Sequence, residues 1–180
     1  AGMKYLHSYD ILYHYFDPRN ILLDESDYPK INHFLVMNDS FNEDTKYLAP
    51  EVINGSNHTK SSDVYSFASL VFQILTNQEP ISQDNKHSPI PPRVPKCYQD
   101  LIESCWSENP EERPTFYNIV NNLKTNLDFI KEGINKEEFL DYILNIIFSI
   151  PKFQISDYKQ MRKIGKGYFG EVFKTKNKST

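Results

Sequence analysis

The chain has 180 residues, 39% of them hydrophobic and 14% aromatic, so it is too apolar for a disordered protein and can bury a core. Its net charge of −4 gives no electrostatic basis for binding nucleic acid or an anionic membrane. Cys97 and Cys105 lack metal-ligand spacing and are too few for a disulfide scaffold, which indicates a reducing, cytoplasmic setting. The most apolar stretch, residues 139–150, is too short to span a bilayer. Since Ala1 is not an initiator methionine, we expect a piece of a longer protein.

The first quarter of the chain predicts a helix end, a hairpin and a loop. Residues 2–8 have the pattern of a helix end. Two short apolar runs, at 21–23 and 29–31, flank a polar turn, which predicts a small β-hairpin. Residues 36–48 are polar and irregular and predict a loop.

The middle of the chain predicts three helices. Ser61, Ser62 and Asp63 are good N-capping residues for a helix that we expect to be deeply buried, because few charges accompany its apolar stripe. That stripe comprises Val64, Phe67, Leu70, Val71, Ile74 and Leu75. A loop at 77–96 and a short amphipathic helix at 98–106 follow. A third helix is predicted to begin at Arg113, with Pro114 in its first turn, and to end at Gly133. Its stripe comprises Phe116, Ile119, Val120, Leu123, Leu127 and Ile130.

The last third of the chain changes from helical to strand-like. Asn135 and Glu138 are spaced as in a capping box. The helix that they begin has the stripe Phe139, Leu140, Ile143, Leu144 and Ile147. From Ile155 onward the pattern predicts a strand at 157–164, a glycine-rich loop and a second strand from Val172.

Five motifs occur in a fixed order and spacing within residues 1–131. They are Lys4-Tyr-Leu-His-Ser, Asn20-Ile-Leu-Leu, Ala49-Pro-Glu51, Asp63-Val-Tyr-Ser-Phe, and Cys105-Trp with Asn109-Pro-Glu-Glu-Arg113-Pro. Together they resemble the C-terminal lobe of a protein kinase. The residues of the Cys105-Trp and Arg113-Pro motifs are most similar to those of tyrosine kinases and the tyrosine-kinase-like group. The resemblance implies a mainly α fold: an incomplete protein-kinase-like C-lobe, without its N-lobe, that contains a short β-hairpin.

The residues that carry kinase chemistry are altered. Alignment on Asn20 implies that Tyr15 stands where the family has the Asp that accepts the substrate hydroxyl proton. A neutral phenol, with a pKa of about 10, cannot do this. Asp17 falls on the family's next basic residue, where a carboxylate would repel phosphate. The alternative, Asp17 as a displaced base, needs a two-residue slip while Asn20 stays fixed.

The magnesium positions are also degenerate. His33 replaces the family's magnesium-binding Asp, and Leu35 replaces the Gly that lets the segment switch. Asn20 is either a weak, neutral magnesium ligand or a residue that tightens the loop. A softer metal on His14 and His33 is the alternative to no ligand role for either. The resemblance implies ATP and Mg²⁺ as the family's cofactors, but we expect this chain alone to bind neither and to have no metal site.

The scaffold residues are retained. The resemblance implies that Glu51 and Arg113 form the family's buried ion pair and that Asp63 braces the catalytic loop. A retained scaffold with lost chemistry is typical of a pseudokinase.

A second resemblance lies in residues 155–180. Ile164-Gly165-Lys-Gly167-Tyr-Phe-Gly170-Glu-Val172 resembles the glycine-rich loop of a kinase N-lobe, whose backbone N–H groups approach the phosphates of ATP. Ile164 and Val172 match the residues that enclose adenine. A dinucleotide fingerprint is disfavoured, because it needs a helix after the glycines.

We therefore expect a kinase-like C-lobe at 1–131, a helical linker at 132–154 and the start of a second kinase-like N-lobe at 155–180. A tandem array explains why the glycine loop comes last, and circular permutation is the alternative. We expect the first domain to be an inactive pseudokinase that binds or regulates an adjacent kinase domain or another protein. An active ATP-dependent Ser/Thr or Tyr kinase in the downstream domain is a second hypothesis, and a non-functional gene fragment is a third. This chain alone is expected to be inactive.

Overall fold

A computed structural model describes residues 1–14, 16–25, 29–31, 45–80, 87–130, 135 and 137, and the backbone of 158–167 and 170–177. The chain divides into two compact units, Ala1–Leu140 and Asp141–Thr180. This division falls inside the predicted linker 132–154. No helix among the described residues is both long and apolar enough to cross a membrane.

The described part of the first unit is mostly helical. Its α-helices are α1 (Gly2–Ser8), α2 (Pro50–Ile53), α3 (Lys60–Thr76), α4 (Lys96–Cys105) and α5 (Phe116–Thr125). Single 3₁₀ turns lie at Pro18–Asn20, Thr45–Tyr47, Pro110–Glu112 and Leu127–Phe129. Strands β1 (Ile21–Leu23) and β2 (Pro29–Ile31) pair antiparallel, with Ile21 opposite Ile31, so the predicted hairpin is confirmed.

Helix α3 lies at the centre of the core, but it begins earlier than the sequence predicted. Its N-cap is Thr59, whose hydroxyl accepts a hydrogen bond from the N–H of Ser62, while the Ser62 hydroxyl accepts one from the N–H of Thr59. Because this reciprocal pair satisfies two N–H groups, the helix starts at Lys60 rather than at Ser61. Deep burial is confirmed for Val64 and Leu70 of the predicted stripe. The stripe residues Phe67, Val71 and Leu75 are partly buried, and Ile74 is 69% exposed. The buried cluster around α3 comprises Met3, Tyr13, Phe16, Ala49, Val64, Tyr65, Ala68, Leu70, Phe72, Leu101, Ile102, Cys105, Trp106, Phe116, Ile119 and Phe129.

Helix α5 differs from its prediction at both ends. Arg113 has φ −67° and ψ 137°, since a residue before proline is pushed into extended backbone, and the helix therefore cannot begin there. Thr115 is the N-cap, and its hydroxyl accepts a hydrogen bond from the N–H of Asn118. At the other end Asn126 is extended, and its side chain accepts a hydrogen bond from the N–H of Asp128, which starts a separate 3₁₀ turn. Ile119 and Val120 of the predicted stripe are buried, whereas Leu127 is exposed.

The loop before α4 is held on the core through an aromatic stack. The His87 ring lies parallel to the Trp106 ring, with centroids 4.3 Å apart, and its Nδ1 lies 3.2 Å from the Tyr65 hydroxyl. Helix α4 itself starts at Lys96 rather than at residue 98. Further along, the Asn135 side chain accepts a hydrogen bond from the N–H of Glu137. Gly133 and the helix predicted after Asn135 lie outside the described residues.

The second unit is described by its backbone hairpin. Strand β3 (Tyr158–Gly167) pairs antiparallel with β4 (Gly170–Asn177), in a register that sets Gly165 opposite Val172 and Gly167 opposite Gly170. The strand–glycine–strand prediction is confirmed, but β4 begins at Gly170 rather than at Val172. The flanking glycines belong to the ladder, so the connection between the strands is only two residues long.

Candidate functional site

Asp63, in the first turn of α3, holds the segment between α1 and β1 through hydrogen bonds. Its side chain is buried, with 1% of the residue exposed. One carboxylate oxygen accepts a hydrogen bond from the N–H of Tyr13 and the other from the N–H of His14, each at 2.8 Å. The Nε2 atom of His7 also lies 2.9 Å from Asp63. The first turn of α3 thereby fixes the backbone immediately before Tyr15, a residue that lies outside the described part of the chain.

The ring of His14 stacks on the ring of His58. The two ring centroids are 4.4 Å apart and the planes differ by 5°. His14 has φ 68°, a left-handed conformation that is uncommon for a residue other than glycine. Among the described residues, no group of three or more His, Cys, Asp or Glu side chains could hold a metal. His33, the other half of the softer-metal alternative, lies outside them.

Asp17 is held by Arg19 and is 4% exposed. It accepts hydrogen bonds from the Arg19 backbone N–H at 2.7 Å and from Nε at 2.8 and 2.9 Å, and it also contacts Nη2. The side-chain hydrogen bonds from Arg19 lower the pKa of Asp17, although burial opposes them. A general base needs free lone pairs and a pKa near the working pH. Asp17 meets neither condition, which argues against the displaced-base alternative, and the guanidinium of Arg19 lies against the carboxylate that was expected to repel phosphate.

The other polar groups of the loop are not suited to proton transfer or magnesium. Asn20 ends the 3₁₀ turn, and its carbonyl oxygen accepts a hydrogen bond from the Tyr13 hydroxyl at 3.4 Å. Burial, followed by the charges of Asp17 and Asp63, raises the pKa of Tyr13 to about 12, so its phenol stays protonated. Mg²⁺ on ATP requires hard oxygen ligands, chiefly carboxylates. In the described loop the carboxylate of Asp17 is bonded to Arg19, which leaves the neutral Asn20 amide, so these residues do not fit Mg²⁺–ATP. Leu35 and His33 are not among the described positions.

Glu51 and Arg113 form a two-bond ion pair that joins the start of α2 to the segment before α5. Arg113 Nη1 lies 2.6 Å from Glu51 Oε1, and Nη2 lies 2.9 Å from Oε2. The same guanidinium donates to the carbonyl oxygens of Ser107 and Ser61 and lies 5.0 Å from the centre of the Tyr65 ring. Each of the three guanidinium nitrogens therefore donates at least one hydrogen bond, and a buried charge is tolerated only when it is paired and bonded in this way.

Sequence analysis did not single out Arg19, His7 or His58. The signal for Arg19 was present, because an Asp before Pro caps a tight turn and places the residue two positions on within reach of its carboxylate. No pattern in the sequence links His58 to His14, since the two are brought together only by the packing of the loop on α3.

In the second unit, the hairpin places Gly165 and Val172 as cross-strand partners, with Gly167 and Gly170 closing the turn. Ile164 lies on β3 next to this pair. A backbone without side chains at three positions around one turn leaves its N–H groups approachable by an anion.

Comparison with known proteins agrees with this architecture. The family model described as "Protein kinase domain" matches residues 1–123, more than half of the chain. A seven transmembrane domain-containing tyrosine-protein kinase of Dictyostelium discoideum is 34% identical over 151 residues, which cover 70% of this chain and 22% of that protein. A dual specificity protein kinase of the same organism is 31% identical over 160 residues, which cover 68% of this chain and 7% of that protein. A serine/threonine/tyrosine-protein kinase of Arabidopsis thaliana is 28% identical over 179 residues, covering 83% and 46%. The chain spans less than half the length of each of these relatives. The chain belongs to the protein kinase family.

Proposed function

We propose that the first unit is the C-lobe of a pseudokinase, of the tyrosine-kinase-like group, that acts by binding or regulating rather than by phosphoryl transfer. One observation carries the proposal: the one acid next to the catalytic position, Asp17, is occupied by Arg19, while the scaffold acid Asp63 keeps its full set of bonds. Asp63 holds the backbone of the loop before Tyr15 through hydrogen bonds that require no catalytic chemistry, which supports a scaffold role for the loop.

The sequence supports the same conclusion at the positions that lie outside the described residues. Tyr15 offers a phenol, which stays protonated at neutral pH, where a carboxylate base is needed. His33 offers a nitrogen ligand where Mg²⁺ needs oxygen. The scaffold contacts of Asp63 and of Glu51 with Arg113 are present, so such a unit would keep its surface for partners. An adjacent kinase domain or another protein, in the cytoplasm, is the partner that we propose.

The proposal is tested by the magnesium dependence of nucleotide binding. Thermal unfolding, followed by the fluorescence of Trp106, is measured for the chain with ATP alone and with ATP and Mg²⁺. We expect the same melting temperature in both conditions and no effect of Asn20→Ala on the difference. A rise in melting temperature that needs Mg²⁺ and disappears in Asn20→Ala would contradict the proposal.

A second candidate function is favoured by the hairpin of the second unit. The Gly165–Val172 register supports an ATP-binding glycine loop, and with it an active Ser/Thr or Tyr kinase in the downstream domain. This candidate is separated from the first by Gly167→Val in the longest expressed form of the protein. Phosphoryl transfer that Gly167→Val abolishes and Tyr15→Phe leaves unchanged would assign catalysis to the downstream domain.

A further inference from the structure

A cavity of about 290 Å³ opens on the first unit among α1, the start of α3 and the segment before α5. Helix α1 contributes Lys4, His7 and Ser8, helix α3 contributes Lys60, Ser61 and Val64, and residues 113–117 form the third wall. Its residues include none of the degenerate catalytic positions. Its size is at the lower end of the range for sites that take small molecules or single side chains.

The charges around the cavity are strongly one-sided. The chain has 24 acidic and 20 basic residues, yet the lining contains two lysines, an arginine and a histidine and no carboxylate. Arg113 is fully engaged with Glu51, and His7 with Asp63. The remaining cations are therefore the ones available to a ligand.

The two lysines are only weakly committed. Lys60 lies 2.5 Å from Asp10, but both side chains are largely exposed, and such surface pairs contribute little. Lys4 has no carboxylate partner within the described part of the chain, and its ammonium lies 4.3 Å from the centre of the Tyr117 ring.

The walls of the cavity are chiefly apolar. Val64 and Phe116 are buried beneath it, and Tyr117 is 57% exposed at its edge. Helices α3 and α5 both begin at the cavity, so the positive ends of two helix dipoles add to the lysine charges. An anionic group could therefore contact the lysines, and an aromatic ring attached to it could pack on the apolar wall.

We propose that this cavity binds an aryl phosphate, a phosphate monoester carried on an aromatic ring. The phosphate would lie at Lys4, Lys60 and the first turn of α3, and the ring would lie against Phe116 and Tyr117. The ligand is either a free small molecule or a phosphotyrosine side chain of a partner protein. The site does not depend on whether the catalytic loop is active.

The test is a titration of the ¹⁵N-labelled 180-residue chain with phenyl phosphate, followed by NMR. We expect saturable shifts of the backbone amide signals of Ser61 and Tyr117. Lys4→Gln should weaken binding about tenfold, the scale of one charge-assisted hydrogen bond. Ser61→Asp should abolish binding without unfolding the chain, because an acid in the first turn of a helix is favourable. The matched control, Lys96→Gln, removes a lysine from the first turn of α4, away from the cavity, and should leave binding unchanged.

Two further probes complete the titration. Inorganic phosphate should bind more weakly than phenyl phosphate, because it cannot use the apolar wall. A short phosphotyrosine peptide that binds more tightly than phenyl phosphate assigns the ligand to a partner protein, whereas weaker binding assigns it to a free small molecule, and either result supports the class. The proposal is overturned if neither aryl phosphate gives saturable shifts, if inorganic phosphate binds equally well, or if Lys4→Gln has no effect.

Discussion

Replacing Asp63 by Asn should strongly destabilise the first unit. Asp63 accepts hydrogen bonds from the N–H groups of Tyr13 and His14 and is also bonded to His7. An Asn side chain keeps the volume but has only one acceptor oxygen, so one backbone N–H would face an NH₂ group instead of an acceptor. A hydrogen bond to a charged group contributes about 1.5–3 kcal/mol, and an orphaned buried donor has a similar cost. We therefore expect Asp63→Asn to lower the free energy of unfolding by about 3–5 kcal/mol. This loss combines one missing hydrogen bond, two weaker ones and the removed charge.

The assay is urea unfolding followed by the fluorescence of Trp106, which is buried in the same core. Domains of this size have a total stability of about 5–15 kcal/mol, so a loss of this size would shift the midpoint far toward low urea. Asp100→Asn is the matched control, because it makes the same chemical change on the exposed face of α4 and should leave the midpoint unchanged. A loss below about 1 kcal/mol for Asp63→Asn would show that the three bonds of Asp63 do not stabilise the loop.

Three further predictions concern buried ionisable side chains. Glu51→Gln or Arg113→Met alone should each cost about 3–5 kcal/mol in the same urea assay, while the double variant should cost clearly less than the sum, because neither charge is then left unpaired. The hydrogen bonds from Arg19 lower the pKa of Asp17, so their contribution to stability is complete above the unfolded pKa of about 3.9. This contribution is lost as the pH falls through the lower pKa of the folded state. Asp17→Asn should therefore lose less stability than the wild type on acidification through this range. Burial lowers the pKa of His87, so stability should fall as the pH drops below about 6.5, and the wild type should lose more than His87→Phe between pH 7 and pH 5, measured by thermal unfolding.

The sequence predicted the parts of the fold that depend on local patterns. The β1–β2 hairpin and the burial of α3 follow from runs of apolar residues, and both are confirmed. The helix ends were predicted less well, because they depend on single contacts. Thr59 and Ser62 satisfy each other at the start of α3, and Asn126 turns the backbone away at the end of α5. Such contacts shift a boundary by a few residues without changing the hydrophobic pattern.

The features of the site also divide into those that residue identity predicts and those that depend on the folded backbone. The proposed loss of catalytic chemistry rests on residue identities, since the unperturbed pKa of a phenol such as Tyr15 is about 10. The clamp on Asp17 and the stack of His14 on His58 depend on the path of the backbone. The cavity beside Lys4 could not be predicted either, because its first and third walls are more than 100 residues apart in the sequence and the three walls meet only in the folded unit.

The most direct test of the pseudokinase assignment is a phosphoryl-transfer assay on the longest expressed form of the protein that contains residues 1–140. Wild type, Tyr15→Phe and His33→Ala are compared with radiolabelled ATP and Mg²⁺. We expect both variants to transfer phosphate at the same rate as the wild type, whatever that rate is, because neither residue serves catalysis in the proposed pseudokinase. A rate that falls tenfold or more in Tyr15→Phe or His33→Ala, with folding unchanged, would contradict it.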